Sequence, residues 1–101
     1  ETPEWCLVSE IDGEIVGFIT YRLETERSLG IIGNNAVAPE HQGQGIGTRQ
    51  YDRVLEAFEE SGMQFAKVTT GLDPFHAPAR RGYEKAGFSP FVEMVDYYRE
   101  V

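Results

Sequence analysis

The sequence predicts an α/β (α+β) fold: one domain over residues 1–101 with a mixed, mostly antiparallel sheet, a central βαβ unit and helices packed on it. Strand-forming residues flank the pair Asp12-Gly13, which tolerates the positive φ angles of a tight hairpin turn. After Gly47 the apolar residues change to a helical period, and after Gly62 a strand pattern returns.

Residues 5–23 form the predicted hairpin, and Gly17 within its second strand indicates a bulge or a close neighbour. The polar residues 24–28 make the next turn. Residues 29–37 then form a third strand, so that the first half of the chain is an antiparallel meander. Pro39 closes this strand, because proline biases the residue before it toward extended geometry.

The first helix is indicated by one apolar face with the spacing of i, i+3, i+4 and i+7, formed by Tyr51, Val54, Leu55 and Phe58. Gly62 is a suitable helix stop. Residues 65–72 read as a strand again. Since a strand, a helix and a strand in succession form a crossover, we expect the two strands to be parallel.

The second helix is predicted over residues 78–86. It opens on a proline, whose missing N–H is tolerated at the first helical position, and Gly87 ends it. Phe88 follows as the apolar residue that packs beneath such a cap. The aromatic and β-branched residues 91–99 predict a last strand, in which the tyrosines at 97 and 98 belong to the sheet and core.

The net charge of −8 argues against a general nucleic-acid binder, because such proteins neutralise phosphates with Lys and Arg. The sequence has neither a basic amphipathic stretch nor the roughly 20 apolar residues that span a bilayer. Cys6 is the single cysteine, and the two histidines lack a metal-binding spacing. We therefore expect a cytoplasmic protein without a metal, a nucleic-acid partner or a membrane.

Gly43, Gly45 and Gly47 alternate where the third strand gives way to the helix. Glycines let the backbone come close to a ligand, and the first N–H groups of a helix have no partners within the helix. Together with the helix dipole, these groups favour an anion such as a phosphate. A flexible turn without a ligand is the simpler alternative.

Two common phosphate motifs do not fit this loop. The dinucleotide pattern Gly-x-Gly-x-x-Gly fails, because Gln50 stands at the sixth position counted from Gly45. An acidic residue at the distance that a ribose contact needs is also missing. A P-loop requires Gly-Lys-Ser or Gly-Lys-Thr, whereas Gly47 is followed by Thr48 and Arg49.

The remaining pattern is Gln-x-x-Gly-x-Gly over residues 42–47, between a strand and a helix. It resembles the acetyl-CoA signature of the GNAT family of N-acetyltransferases. Residues 35–47 are similar to that family's central strand and pyrophosphate loop. Residues 76–88 resemble its second motif, Asn-x-x-Ala-x-x-x-Tyr-x-x-x-Gly-Phe. Two such motifs in order, separated by a βαβ unit, are a specific signal, and the resemblance extends from the family's second strand to its last.

The resemblance implies acetyl-CoA as co-substrate. Backbone amides of the loop would hold its pyrophosphate, with a further donor from the Gln42 side chain. The backbone of Val37 would bind the pantetheine arm like an added strand, and its N–H would polarise the thioester carbonyl. His76 stands where the family has asparagine; a neutral histidine also offers one donor and one acceptor, and helix capping is its alternative role. The implied cofactor-binding residues are Val37, Gln42, Gly43, Gln44, Gly45, Ile46, Gly47, Thr48 and His76.

By the same resemblance, Tyr83 is the catalytic general acid. Acyl transfer releases the CoA thiolate, whereas a tyrosine hydroxyl, with an ordinary pKa of about 10, is protonated at neutral pH and can donate to sulfur. Ala79 shares a helix face with Tyr83 and leaves space for the cofactor arm. The plainer interpretation of Tyr83 is a core tyrosine with a solvated hydroxyl.

The general base stays open. Some relatives carry a glutamate where this chain has Gly71. Asp73 and Glu40 are candidates, although Asp73 is equally suited to opening a turn, and a water chain or an upstream segment are alternatives. His41, beside the loop, is expected at the surface rather than in catalysis.

The resemblance therefore predicts an N-acetyltransferase that moves an acetyl group to a primary amine of a small molecule or peptide by direct attack. The acidic charge mildly favours a cationic acceptor. A non-catalytic CoA-binding sensor or scaffold and a generic nucleotide-phosphate binder are the alternatives. The aromatic tail allows a homodimer. The chain opens on Glu1-Thr2-Pro3, so we expect that an upstream segment with the family's first strand and helices is absent.

Overall fold

The computed structural model describes residues 3–70, 74–89 and 97–101. In this part of the chain, four strands form one sheet in the order β1-β2-β3-β4, with two helices. The elements are β1 (Glu4–Ile11), β2 (Glu14–Glu24), β3 (Leu29–Val37), α1 (Ile46–Glu60), β4 (Phe65–Lys67) and α2 (Ala77–Lys85). The first three strands pair antiparallel and β4 pairs parallel to β3, which confirms the predicted mixed sheet with its βαβ unit.

The hairpin of β1 and β2 forms around the predicted turn. Asp12 has a φ of 52° and Gly13 a φ of 84°, the two positive angles that a type I′ turn needs. The register shifts one residue before Gly17, which marks a bulge. A Cβ atom at Gly17 would lie 2.6 Å from Gln50 Oε1 and 2.8 Å from the Ala36 carbonyl oxygen, so both predicted reasons for this glycine are confirmed.

A second bulge, in β3, is not signalled by the sequence. Between Ile19 and Tyr21 the pairing shifts so that Gly33 and Asn34 of β3 lie opposite the single residue Thr20. The Thr20 Oγ1 accepts a hydrogen bond of 2.8 Å from the Asn34 N–H. A bulge bends its strand, and this one therefore sets the direction of the last residues of β3.

The predicted strand over residues 65–72 is wrong in length. β4 ends at Lys67, residues 68–70 are not strand, and the remaining two lie outside the described residues. Its pairing with β3 stops at Ile31, just before the bulge of β3. Since the bulge turns the rest of β3 aside, the ladder between the two strands does not continue.

The core lies between the sheet and the two helices. Ile19 and Val54 are fully buried, and the Tyr51 and Tyr83 rings pack together with centroids 5.2 Å apart. The buried cluster consists of Ile19, Ile32, Tyr51, Val54, Phe58 and Tyr83. The predicted apolar face of α1 thus packs on the sheet, and Tyr83 of α2 packs into the same cluster.

The second helix ends as predicted. Gly87 has a φ of 97°, and the Phe88 N–H donates to the Tyr83 carbonyl oxygen over 3.0 Å. The Phe88 ring also packs edge-on against the Tyr83 ring. The helix is Ala77–Lys85, one residue earlier than predicted, because a 3-10 turn leads into it.

The predicted last strand, 91–99, lies largely outside the described residues. Residues 97–99 are described, are not strand, and are exposed, so the prediction that Tyr97 and Tyr98 belong to the sheet and core is wrong. In the described part of the chain neither tyrosine is covered by another element. No helix among the described residues has the length and apolar character needed to cross a membrane.

Candidate functional site

The glycine-rich loop takes the shape that its composition predicts. A 3-10 turn, Pro39–His41, leads into it, and Gly43 and Gly45 have φ angles of 80° and 81°, in the left-handed region. A Cβ atom at either glycine would meet nothing within 4 Å. These two glycines are therefore required by the backbone conformation, not by packing, and they leave open space beside the loop.

The loop delivers its backbone directly to the N-terminus of α1. Gly45 is the N-cap residue and has no side-chain cap among the described residues, and the first helical bond runs from the Arg49 N–H to the Gly45 carbonyl oxygen. The N–H groups of Ile46, Gly47 and Thr48 therefore lie ahead of the intrahelical ladder. The buried Ile46 side chain anchors this end to the core, and the first turn has no acidic residue. The arrangement suits an anion.

Val37 presents its N–H to the open edge of β3. The Ala38 N–H donates to the Val16 carbonyl oxygen of β2 over 2.7 Å. Because successive N–H groups of a strand point to opposite edges, the N–H of Val37 points away from β2. On that side β4 pairs only as far as Ile31, so in the described part of the chain the edge beside Val37 is unpaired.

The Gln42 side chain folds back onto this strand end. Its Nε2 donates to the Val37 carbonyl oxygen over 3.1 Å. The bond ties the loop to the end of β3, and it uses the amide that the sequence assigns to the pyrophosphate. Val37 also lines an open groove of about 320 Å³ between the ends of β2 and β3.

Tyr83 belongs to a small polar cluster inside the core, in which Asn35 bonds to two tyrosines. It is 8% exposed, and its hydroxyl oxygen accepts a hydrogen bond of 3.0 Å from Asn35 Nδ2. The Tyr51 hydroxyl donates to Asn35 Oδ1 over 3.2 Å. Burial, and secondly the neighbouring Tyr83 hydroxyl, raise the pKa of Tyr51 to about 12. The cluster joins β3, α1 and α2 at a single point.

The two histidines each end a 3-10 turn that precedes a helix: His41 ends Pro39–His41, and His76 ends Pro74–His76. His76 is exposed and occupies the N-cap position of α2. His41, expected at the surface, is half-buried at the end of the 3-10 turn Pro39–His41. Its Nδ1 is enclosed without a hydrogen-bond partner among the described residues. Of the two candidate bases, Glu40 is exposed on the same turn, and Asp73 lies outside the described residues.

The chain's relatives account for this combination of loop and helix. A model of the acetyltransferase (GNAT) family matches residues 1–88. The chain belongs to the GNAT acetyltransferase family. It is 33% identical over 82 residues to an uncharacterised N-acetyltransferase of Archaeoglobus fulgidus, covering 76% of this chain and 54% of that relative. It is 26% identical over 99 residues to N-alpha-acetyltransferase 30 of Schizosaccharomyces pombe, covering 95% of this chain and 65% of that protein.

The chain therefore spans between about half and two thirds of the length of these curated GNAT relatives. Among solved structures, aminoglycoside N-acetyltransferase AAC(6')-Iy in complex with the bisubstrate analogue CoA-S-monomethyl-acetylneamine is similar, with a TM-score of 0.81 and 14% identity. The match covers 97% of this chain and 70% of that chain. At this identity the likeness shows the fold and confirms the predicted fold class, and the family model confirms the predicted family. The roles of individual residues stay predictions.

Sequence reasoning missed Asn35 and the polar side of Tyr51. The sequence places Asn35 in the central-strand motif and Tyr51 on an apolar helix face, and neither pattern indicates a polar contact. The available signal was an asparagine in a strand that is otherwise mostly apolar or glycine. That signal does not reveal its partner, because Tyr83 lies 48 residues further along the chain.

Proposed function

We propose that this chain is an acetyl-CoA-dependent N-acetyltransferase that acts on a primary amine. The observation that carries the proposal is the convergence of two unpaired backbone features on one strand end. The free amides at the start of α1 suit a pyrophosphate, and the Val37 N–H faces the open edge of β3.

In this proposal acetyl-CoA lies along that edge. The pyrophosphate takes the amides of residues 42–48, and the pantetheine arm extends β3 beyond the point at which β4 stops. The Val37 N–H then meets the thioester carbonyl and stabilises the charge that develops on its oxygen. His76, exposed at the start of α2, is the proposed side-chain contact to the pantetheine.

The chemistry is direct attack. The amine nitrogen bonds to the acetyl carbon, the C–S bond breaks, and its electron pair stays on the CoA sulfur. Tyr83 donates its proton to that sulfur. Glu40, Asp73 or a water molecule takes the first proton of the ammonium group, which frees the nitrogen for attack, and the second proton, lost as the amide forms, returns to the Tyr83 oxygen through water. Two residues along β3 separate Asn35, which bonds to the Tyr83 hydroxyl, from Val37, a rise of about 7 Å. Donor and carbonyl-binding groups are thus supported by the same strand end.

The acceptor we propose is a cationic amine, because the chain carries a net charge of −8. One relative is named N-alpha-acetyltransferase 30, and one structural neighbour is in complex with the bisubstrate analogue CoA-S-monomethyl-acetylneamine. Neamine, spermidine and a peptide with a free N-terminus therefore form the first panel. The homodimer and the cytoplasmic location stay predictions.

Calorimetric titration with acetyl-CoA, with ATP and NAD as controls, tests the cofactor. We expect acetyl-CoA to bind and the two controls not to bind. Comparable binding of all three would point to a generic nucleotide-phosphate binder, and no binding of acetyl-CoA would overturn the proposal.

The variant Tyr83→Phe tests the proton donor. We expect kcat for amine-dependent CoA release to fall by about 100-fold or more, because a positioned acid contributes that much, while the acetyl-CoA affinity is unchanged. Tyr97→Phe is the matched control, since that tyrosine is 92% exposed. Undiminished turnover in Tyr83→Phe would contradict the assignment. Binding of acetyl-CoA without turnover of any amine in the panel would favour a non-catalytic sensor.

A further inference from the structure

We propose that Asn35 is a positioning residue that holds the Tyr83 hydroxyl in the orientation for proton donation. The inference rests on the proposed function and adds to it a residue that neither family motif assigns a role. Asn35, Tyr51 and Tyr83 make three contacts with one another. The three residues come from β3, α1 and α2, respectively.

Asn35 has a location that suits this role. It is two residues before Val37, and because side chains alternate along a strand, the two side chains share a face of β3. That face is turned to the start of α1, since a Cβ atom at Gly47 would lie 3.8 Å from Val37 Cγ2. Asn35 therefore connects the strand end that is proposed to bind the thioester with the helix that carries Tyr83.

The direction of the hydrogen bonds decides where the Tyr83 proton goes. Asn35 Nδ2 donates to the Tyr83 oxygen, and the Tyr51 hydroxyl donates to Asn35 Oδ1. With its oxygen accepting from the amide, Tyr83 does not give its O–H to Asn35, and its hydroxyl also has a hydrogen-bond contact with the neighbouring Tyr51 hydroxyl. If the amide were reversed, its oxygen would accept the Tyr83 proton and the hydroxyl would lose its donor function. In the proposed arrangement the amide takes the first orientation, and Asn35→Asp, which removes the amide donor, tests it, because the Tyr51 hydroxyl can donate or accept and fits both orientations.

The same contacts support the state after proton transfer. When the CoA sulfur takes the Tyr83 proton, the Tyr83 oxygen is left with a negative charge and the amide N–H of Asn35 still points at it. Hydrogen bonds to a charged acceptor are stronger than those to a neutral one. Tyr51 does not give up its own proton to this exchange, because its pKa is raised to about 12. The cluster therefore stabilises the deprotonated form of Tyr83 more strongly than the protonated form.

A double-mutant cycle tests the proposal, with amine-dependent CoA release as the assay and the panel of neamine, spermidine and a short peptide as acceptors. Asn35→Leu removes the amide, and Asn35→Asp removes the Nδ2 donor while it keeps the side-chain shape. We expect each to lower kcat roughly tenfold, the effect of one hydrogen bond to a charged group, with KM for acetyl-CoA unchanged. In the Tyr83→Phe background, neither substitution should lower kcat further, because the group through which Asn35 acts is gone.

Asn34→Asp is the matched control, since this neighbouring asparagine has an exposed side chain. If an Asn35 substitution lowers kcat equally in the wild type and in the Tyr83→Phe background, Asn35 has a merely structural role and the inference is overturned. A loss of kcat accompanied by weaker acetyl-CoA binding would overturn it in the same way. Wild-type kcat in both Asn35 variants would overturn it while Tyr83 stands as the acid. Wild-type kcat in Tyr83→Phe, or no turnover by the wild type, would remove the proposed mechanism and the inference with it.

Discussion

Replacing Gly45 by alanine tests the proposed ligand-binding role of the loop separately from its contribution to stability. Gly45 has a φ of 81°, and a Cβ atom there would meet nothing within 4 Å. The substitution therefore costs backbone conformation alone, without a clash. An alanine in the left-handed region is disfavoured by about 1–2 kcal/mol.

Part of that cost is offset in the unfolded state, where alanine has less freedom than glycine by about 0.4–1 kcal/mol. The net loss in the free energy of unfolding is then about 1 kcal/mol, or roughly 4–8 °C in Tm for a domain of this size. The loss in ligand binding should be larger. If the strained N-cap relaxes, one charge-assisted bond to the pyrophosphate is lost, and such a bond contributes about 1.5–3 kcal/mol, so acetyl-CoA should bind at least about tenfold more weakly.

Gly62→Ala is the matched control. Gly62 has nearly the same φ, 79°, and equally open surroundings, but it follows the other end of α1, about 22 Å away along the helix. Urea unfolding should show similar losses of stability for both variants, and calorimetry should show weaker acetyl-CoA binding for Gly45→Ala alone. Equal acetyl-CoA affinity in the two variants would refute the assignment of the loop amides to the pyrophosphate. A much larger stability loss at Gly45 would refute the argument that only conformation is at stake.

Two further predictions concern the core. Gly30→Ala should lower the free energy of unfolding by about 1–3 kcal/mol in urea titrations. The reason is that the new Cβ would lie 2.6 Å from Cδ2 of the buried Phe58 ring. Unchanged stability would show that the ring can move aside. Because the pKa of Tyr51 is raised to about 12 from an ordinary value of about 10, its neutral form is favoured by folding. The contribution of the Tyr51 hydroxyl to the free energy of unfolding is then fully present below about pH 10 and is lost as the pH rises through about 12. The difference in stability between wild type and Tyr51→Phe should therefore change over this range. A constant difference would contradict the raised pKa of Tyr51.

Local patterns in the sequence are sufficient for most elements. Asp12-Gly13 predicts its turn because positive φ angles are a property of those residues themselves. The end of α2 is predicted equally well, because Gly87 and Phe88 act on the helix immediately before them. In each case the interacting groups lie within a few residues of one another.

The length of β4, by contrast, cannot be predicted from its own residues. An apolar run such as residues 65–72 indicates a strand, but the number of residues that pair depends on the neighbouring strand. Here β3 bends at a bulge that Thr20 stabilises through the Asn34 N–H, a contact over 14 residues. The pattern within residues 65–72 contains no information about that contact.

The family and the glycine-rich loop conformation therefore follow from the sequence alone, because both depend on consecutive residues: two ordered motifs and three alternate glycines at the start of a helix. The tertiary structure is needed to show that the Val37 N–H faces an edge that is unpaired among the described residues, and that Asn35 joins Tyr51 to Tyr83. The edge beside Val37 depends on the bulge that β3 forms opposite Thr20 of β2, and the Asn35 cluster depends on packing between β3, α1 and α2. These contacts join residues 16 and 48 positions apart, a separation across which a sequence pattern has no fixed geometry.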